Sequence, residues 1–299
     1  VSALSDKRAL IVGAGGLGSP AALLLARSGI GHLTLIDDDE VELSNLQRQI
    51  LFTEADLGRP KAEVARAALL RDVDETPNRA ISIEARVERL ESHNATRLIS
   101  AHDVVLDGAD NFPTKFLLSD VAMRTAVPLV HAGVLRFAGQ LLPIVRGGPC
   151  LRCLFEQEPA PEDAPSCAQA GVLGAAVGVI GCVQASLALA LLRGESVQPT
   201  LRTIDLKDGR ARQVTITPRA DCPVCSDVRL DITQEHCPMT YVRTKLKLES
   251  LGQGEVLDVL LAGDEPLRNV PRSLREDGHR VREIRDLSET KHLVRVEKV

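Results

Sequence analysis

Residues 9–18, ALIVGAGGLG, constrain the fold more than any other part of the chain. Four apolar residues run straight into a glycine-rich turn, and Ser19, Pro20 and an alanine-rich apolar run to Ala26 follow. This order reads as buried strand, tight turn and helix. Gly13, Gly15 and Gly18 have the G-x-G-x-x-G spacing of a dinucleotide-binding turn. The first glycine permits the turn, and the second lets backbone N–H groups approach a phosphate. The third lets the helix lie close to the strand. Phosphate would then sit on free N–H groups at the helix N-terminus. A second apolar strand, His32–Ile36, ends at Asp37, where an acid usually accepts a ribose hydroxyl. Asp37, Asp38, Asp39 and Glu40 also form a charge run, which by itself reads as a wet loop.

The next segment narrows the chemistry. Ser44-Asn45-Leu46-Gln47-Arg48-Gln49 is a polar cluster, Gly58-Arg59-Pro60-Lys61 follows, and Lys61 opens a helix through Glu63, Val64, Ala67 and Leu70. Hydride transfer has no use for Arg48 and Lys61 beside a ribose-binding acid. Cleavage of a phosphoanhydride does, because charge develops on phosphate oxygens and fixed cations stabilise it. The bland alternative is an exposed polar loop.

Together these stretches resemble the ThiF/MoeB/HesA family, prokaryotic relatives of ubiquitin-activating enzymes, and look closest to its molybdopterin-synthase and thiamine-pathway adenylyltransferases. The resemblance runs to about Asp227. It implies an ATP site in which Gly16 lies against the nucleotide, Asp37 holds the ribose, and Asn45, Arg48 and Lys61 contact the phosphates. Gly13, Gly15, Gly18, Asp39, Ser44, Gln47 and Asn111 complete the expected nucleotide-binding set. The family also carries an upstream arginine-containing segment that reaches a partner subunit's site, which implies a homodimer. This chain, starting at Val1, begins too late to show that segment.

Further on, 80–85 alternates as a strand, 96–100 is a short helix and 103–107 is a buried parallel strand ending at Gly108-Ala109-Asp110-Asn111. Ligands sit at the carboxyl ends of such strands. Asp110 is therefore placed to bind Mg²⁺, the role the family gives its matching acid, while the Asp110-Asn111 pair can equally cap the helix that runs to Thr125. His131, in the strand 128–132, is read as a core or rim histidine rather than a catalyst. Cys150-x-x-Cys153 and Cys222-x-x-Cys225 are two hooks fit for a four-thiolate zinc site, and the resembling family holds structural zinc with the same hooks. A disulfide or redox pair is the alternative. The Pro- and acid-rich stretch 156–169 reads as a loop carrying Cys167, at a position where some family members use a nucleophilic thiol. Cys182, within the apolar run 171–192, is read as buried and inert. That run is long enough for a membrane span, but Gln184, Ser186 and the glycine face favour a buried helix. Strands at 201–206 and 213–217 are expected to finish the sheet.

After Cys225 the pattern restarts as β-α-β-α-β-β and resembles the TusA/SirA sulfur-transfer proteins, whose mark is Cys-Pro-x-Pro at a helix start. Here the second proline is missing: the stretch reads Cys237-Pro238-Met239-Thr240. The expected architecture is thus an α/β, Rossmann-like, mostly parallel sheet with helices on both faces over 1–227, plus a small α+β domain over 228–299.

The 299 residues allow one large or two ordinary domains. A net charge of -5, no Trp and one Tyr argue against nucleic acid. No signal peptide or membrane partner is indicated, and the cysteine usage suits a reducing, cytoplasmic compartment. The expected reaction is ATP- and Mg²⁺-dependent adenylation of the terminal glycine of a small ubiquitin-like sulfur-carrier protein. Arg48, Lys61 and Asp110 would be catalytic, and Cys167 or Cys237 would carry sulfur from a sulfurtransferase or cysteine desulfurase. A non-catalytic carrier-binding scaffold and an NAD-dependent oxidoreductase are the other classes left open.

Overall fold

A computed structural model of the chain describes residues 4–74, 81–159, 171–219, 222–225, 228–236, 238–288 and 290–299. Cys167 and Cys237 lie outside them. The chain divides into two compact units, Val1–Cys225 and Ser226–Val299.

The first unit is organised on an eight-stranded sheet. Its strands are β1 (Arg8–Val12), β2 (His32–Ile36), β3 (Ser82–Arg86), β4 (Val104–Asp107), β5 (Leu129–Leu135), β6 (Ala138–Ile144), β7 (Thr200–Asp205) and β8 (Arg210–Thr215). They lie in the order β3-β2-β1-β4-β5-β6-β7-β8, parallel from β3 to β5 and antiparallel from there on. The helices are α1 (Gly18–Arg27), α2 (Lys61–Asp74), α3 (Ser92–Ser100), α4 (Phe112–Thr125), α5 (Leu151–Leu154) and α6 (Gly174–Leu192). Successive residues of β1 face opposite sides of the sheet. Ile11 packs in a core with Leu25 of α1, Leu69 of α2 and Ile180 of α6, whereas Leu10 packs with Leu98 of α3 and Phe116 and Leu118 of α4. Helices therefore cover both faces, and the strand order reverses between β1 and β4. A crevice opens outside the carboxyl ends of strands at such a point.

Strand β6 has no counterpart in the sequence reading, because Gly139 and Pro143 break its pattern. Both are accommodated. Pro143 pairs with Val130 of β5 and lies beyond the last β6–β7 pair at Leu141, where β6 is paired on one side only. A Cβ at Gly139 would come within 2.2 Å of the Ile180 side chain. The final strand lies at Arg210–Thr215, a few residues before the expected 213–217.

Helix α6 carries no charged residue, and it is the one described helix long and apolar enough to cross a membrane. It lies against α1 and β5, with Ala176, Val177, Ile180, Gln184, Ala185 and Ala188 buried. The glycine face allows this: a Cβ at Gly181 would come 2.6 Å from the Leu17 carbonyl oxygen. Cys182 corrects the expectation from sequence, for it is exposed on the outer side of α6. An apolar run cannot say which of its residues face out.

The second unit comprises β9 (Val228–Asp231), α7 (Met239–Glu249), β10 (Val256–Ala262), α8 (Asp264–Glu276), β11 (Arg280–Asp286) and β12 (Lys291–Glu297), with the sheet order β11-β12-β10-β9. β9 and β10 are parallel and the other pairs antiparallel. Leu257, Val259 and Leu261 alternate along β10 into a core with Val294 and Val296, closed by Leu248 of α7 and by Val270 and Leu274 of α8. This is the β-α-β-α-β-β unit that the periodicity predicts.

Candidate active site

The glycine turn is fixed by close backbone approach. Gly13 has φ +92°, which favours glycine. A Cβ at Gly18 would sit 1.9 Å from the Gly13 carbonyl oxygen, and one at Gly108, after β4, would sit 2.4 Å from the same atom. Three backbone segments thus meet at one point. Gly108 belongs to this contact as much as the turn glycines do, and the fingerprint spacing alone could not reveal it. Gly15 is crowded only by the flexible amide of Gln49, with a Cβ 3.1 Å from Nε2. Gln49 is itself buried, and its Oε1 has no partner among the described residues.

At the end of β2, Asp37 is buried and accepts from two backbone N–H groups, those of Ala14 at 2.7 Å and Asp39 at 2.9 Å. Burial pushes its carboxyl above the usual carboxylate range, against those two N–H groups and the nearby charge of Lys61. The chain then loops out and returns. The Val41 N–H donates to the Arg59 carbonyl at 2.9 Å and the Lys61 N–H to the Asp39 carbonyl at 2.9 Å. This return sets Lys61 beside Asp39, with Nζ 2.7 Å from Oδ2. The lysine is almost wholly buried, while the Asp39 side chain is 62% exposed. Arg48 donates to Asn45 Oδ1 at 2.6 Å and to the Ser44 carbonyl at 3.3 Å. It forms no ion pair among the described residues, so neutral acceptors aim a guanidinium whose charge no carboxylate cancels.

The end of β4 is different. Asp107 is fully buried, and Lys115 of α4 donates to both of its oxygens at 3.1 Å and to the Ala132 carbonyl at 2.7 Å. His131 Nδ1 lies 2.6 Å from Asp107 Oδ2, and the Ala109 N–H donates to Oδ1 at 3.1 Å. Gln184 donates to the Asp107 and Val130 carbonyls at 2.9 and 2.8 Å. Burial acts to raise the Asp107 pKa, but the charge of Lys115 and the hydrogen bond and charge of His131 outweigh it and hold the group below the carboxylate range. Burial pushes His131 down, outweighing its bond to Asp107. Sequence reasoning missed this network. Its signal was an acid closing a wholly apolar strand, which must find a buried cation.

The helix cap is divided between neighbours. Asn111 caps α4, accepting the Thr114 N–H at 3.0 Å, which leaves the Asp110 carboxylate exposed and without a hydrogen-bond partner among the described residues. Mg²⁺ takes one or two protein carboxylates of this kind and completes its shell with phosphate and water.

One cavity of about 850 Å³ gathers these groups. Its wall includes Gly13, Gly15, Gly16, Asp37, Asp39, Arg48, Lys61, Asp110 and Asn111 from the sequence-predicted set. Gln49, Lys115 and His131 line it as well. Gly18, Ser44, Asn45 and Gln47 do not: Ser44 and Asn45 hold Arg48, and the Gln47 carbonyl packs on Gly174, where a Cβ would come within 2.4 Å.

Elsewhere in this unit, Cys150, Cys153, Cys222 and Cys225 bring their sulfurs within 4.8 Å of one another. Cys150 and Cys222 are 3.5 Å apart, and Cys153 and Cys225 3.0 Å. These are thiols rather than disulfides, which need about 2.05 Å. The cluster fits zinc, whose bonds of about 2.3 Å place tetrahedral sulfurs roughly 3.8 Å apart. Hydrogen bonding from Cys225 lowers Cys150 to about 6, while the same hydrogen bond, with burial, pushes Cys225 up. A bound dication would remove that competition. The first hook is braced on α4: Arg152 forks onto Asp120 at 2.9 and 2.8 Å, and the Leu151 N–H donates to Ser119 Oγ at 3.0 Å.

Comparisons with known proteins fit this geometry. The ThiF family profile matches residues 1–224, and that of sulfurtransferase TusA matches 228–298. The chain is 42% identical over 234 residues to the SAMP-activating enzyme E1 of Haloferax volcanii, covering 78% of this chain and 85% of that protein. It is 40% identical over 226 residues to the sulfur carrier protein adenylyltransferase of Thermus thermophilus, covering 73% and 82%. Against the adenylyltransferase and sulfurtransferase MOCS3 of Arabidopsis thaliana it is 42% identical over 230 residues, but spans only 48% of that relative's length. The solved structure of E. coli MccB matches at TM-score 0.65 and 22% identity over 78% of this chain and 69% of that one, a likeness of fold. The chain belongs to the ThiF family and carries a TusA domain after its ThiF domain.

Proposed function

We propose that the chain is an ATP-dependent adenylyltransferase that activates the C-terminal glycine of a small ubiquitin-like sulfur-carrier protein. The observation that carries this reading is the single cavity joining the glycine turn, Asp37, Arg48, Lys61 and Asp110. The names of the Haloferax and Thermus relatives supply the substrate class. In the proposed reaction the carboxylate, already ionised at neutral pH, attacks the α-phosphorus, and pyrophosphate leaves. No general base is required. Asp37 receives the ribose, the turn amides receive phosphate, and Arg48 and Lys61 neutralise charge developing on phosphate oxygens. Lys61 can exchange its solvent-exposed partner Asp39 for phosphate at little cost. Asp110 would hold Mg²⁺, which when bound adds positive charge to the phosphates. The product is an acyl-adenylate ready for a sulfur nucleophile.

Three finer points belong to the same proposal. The enzyme works as a homodimer, supported by the exposed apolar side chains Leu43, Ile50, Leu135, Phe137 and Val179. The four-cysteine site holds zinc and is structural. The TusA domain supplies sulfur through Cys237, with Cys167 the competing thiol. Persulfide labelling of Cys237→Ala and Cys167→Ala separates the two.

The test of the activity is carrier-dependent ATP–pyrophosphate exchange. Exchange that appears only with a ubiquitin-like carrier ending in glycine supports the reading. A purified chain that binds ATP and carrier yet exchanges no pyrophosphate would be a scaffold instead. Neither outcome suits an NAD-dependent oxidoreductase, for which Arg48 and Lys61 have no use.

A further inference from the structure

The active-site cavity shares a wall with a second concavity. Ala138 and Thr203 line both, and the second, of about 280 Å³, is also lined by Arg210 and Arg212 of β8. The strand register shows how the two connect. Gly133 of β5 pairs with Gln140 of β6, Gln140 with Thr203 of β7, and Thr203 with Arg212 of β8. Directly paired residues stand on the same face of a sheet, so these four form one row across it. Gly133, Gln140 and Thr203 are half-buried and line the active-site cavity, whereas Arg212, on the edge strand, is exposed. The row leads out of the cavity and ends on a cation.

That cation is uncommitted. Arg212 has no hydrogen bond or ion pair among the described residues, while Arg210 forms an ion pair with Asp208. Asp205, in the same concavity, directly opposes Arg210 rather than Arg212 and accepts the Lys207 N–H at 2.9 Å. A guanidinium fork in this setting matches a carboxylate.

The source of the carboxylate follows from position. The glycine turn, Asp37 and Asp110 lie at the ends of β1, β2 and β4. Four strand spacings put about 19 Å between β4 and β8, too far for a triphosphate held at the turn. The attacking carboxylate must lie beside that triphosphate, so it is not the partner of Arg212 either. A side-chain acid on the peptide that leads to it is. An extended chain covers about 3.3–3.6 Å per residue, so the span corresponds to about five or six residues.

We infer that Arg212 selects the carrier, pairing with an acidic side chain about five or six residues before its terminal glycine. The inference rests on the adenylation reading above and adds a charge requirement to its substrate.

The test uses the full chain and a ubiquitin-like sulfur carrier whose tail before the terminal glycine is serine and glycine only, with a single glutamate moved through it one position at a time. The readout is kcat/KM for pyrophosphate exchange, each divided by the value for the glutamate-free tail. In wild type this ratio should peak at about fivefold, the upper range for an ion pair that solvent reaches. The peak should fall five or six positions before the glycine, reside in KM for the carrier and fade in high salt. Arg212→Gln should give a ratio of about one at every position. Arg212→Glu should invert the preference, with lysine at the peak position now favoured over glutamate. Each ratio is internal to one protein, so general weakening of a variant does not affect it. A flat wild-type profile, a series in which no glutamate position supports exchange, or a peak that survives in Arg212→Gln overturns the inference while adenylation of the carrier with its natural tail stands. No exchange with the natural tail overturns both.

Discussion

Two lysines line the same cavity, and their pairings with aspartate are built oppositely. At the rim, Lys61 meets an Asp39 side chain that is 62% exposed, and Arg48 nearby is held by neutral groups only. On the floor, Lys115 meets an Asp107 with no exposure, and among the described residues its hydrogen bonds go to Asp107 and a backbone carbonyl. A cation whose partner can return to water is available to a ligand, whereas a cation that neutralises a buried acid is committed to the fold. The rim should therefore govern catalysis, and the floor should govern stability and the placement of His131.

The sharpest way to break this contrast is Lys115→Met. It leaves a fully buried carboxylate without its cation, and the expected loss is about 3–5 kcal/mol of stability, read by urea unfolding with two probes. A loss below about 1 kcal/mol would mean that the floor is not committed to the fold.

Lys61→Ala and Arg48→Ala should do the reverse. Each is expected to lower kcat for pyrophosphate exchange by about 10²–10³, while the urea midpoint moves little because Asp39 rehydrates and Arg48 is only partly buried. Near-normal exchange in both variants would remove the phosphate role from the rim.

A site outside the cavity tests whether the contrast is specific to it. Cys222→Ser should release one zinc per chain and lower the melting temperature, because a structural metal contributes folding free energy. Elemental analysis and a thermal scan measure both. ATP affinity should change less than threefold, since none of the four cysteines lines the cavity. Protein purified without chelator that contains no zinc would sink the assignment.

The sequence spoke more clearly about the rim than about the floor, for a physical reason. Rim residues lie in contiguous polar words, 37–40, 44–49 and 58–61, whose composition makes no sense for a core and so points to a ligand. The floor is assembled from Asp107, Lys115, His131 and Gln184, each alone in an apolar setting, and only the β4–β5 pairing and α6 packing bring them together. His131 was legible as a buried histidine. Its free Nε2 was not, because that depends on which neighbour takes Nδ1. The same limit hid Gly108 and the exposure of Cys182. Fold class was legible in both units because it rests on periodicity, which needs no knowledge of partners.

The two acids also titrate in opposite directions, which gives the smallest effect. Asp107 sits below its unfolded value of 3.8, so its contribution to stability is present above that pH and is lost as pH falls through the folded pKa. Asp37 sits above 3.8, so its contribution is present below that pH and is lost as pH rises through the folded pKa. Each variant above removes a charge that lowers its acid. Lys115→Met should carry Asp107 upward, letting it protonate in the folded state before it does so unfolded. The stability deficit of that variant should therefore shrink between pH 7 and pH 4. Lys61→Ala should raise Asp37 further and give a gain of the same sign on acidification, but a smaller one. Asp37 keeps its two backbone donors, and Lys61 is only one of several groups that lower it. Urea midpoints of wild type and both variants across this range measure the difference directly. Deficits that stay constant with pH, or a larger shift in Lys61→Ala than in Lys115→Met, would show that the rim and floor acids do not differ in the way their surroundings require.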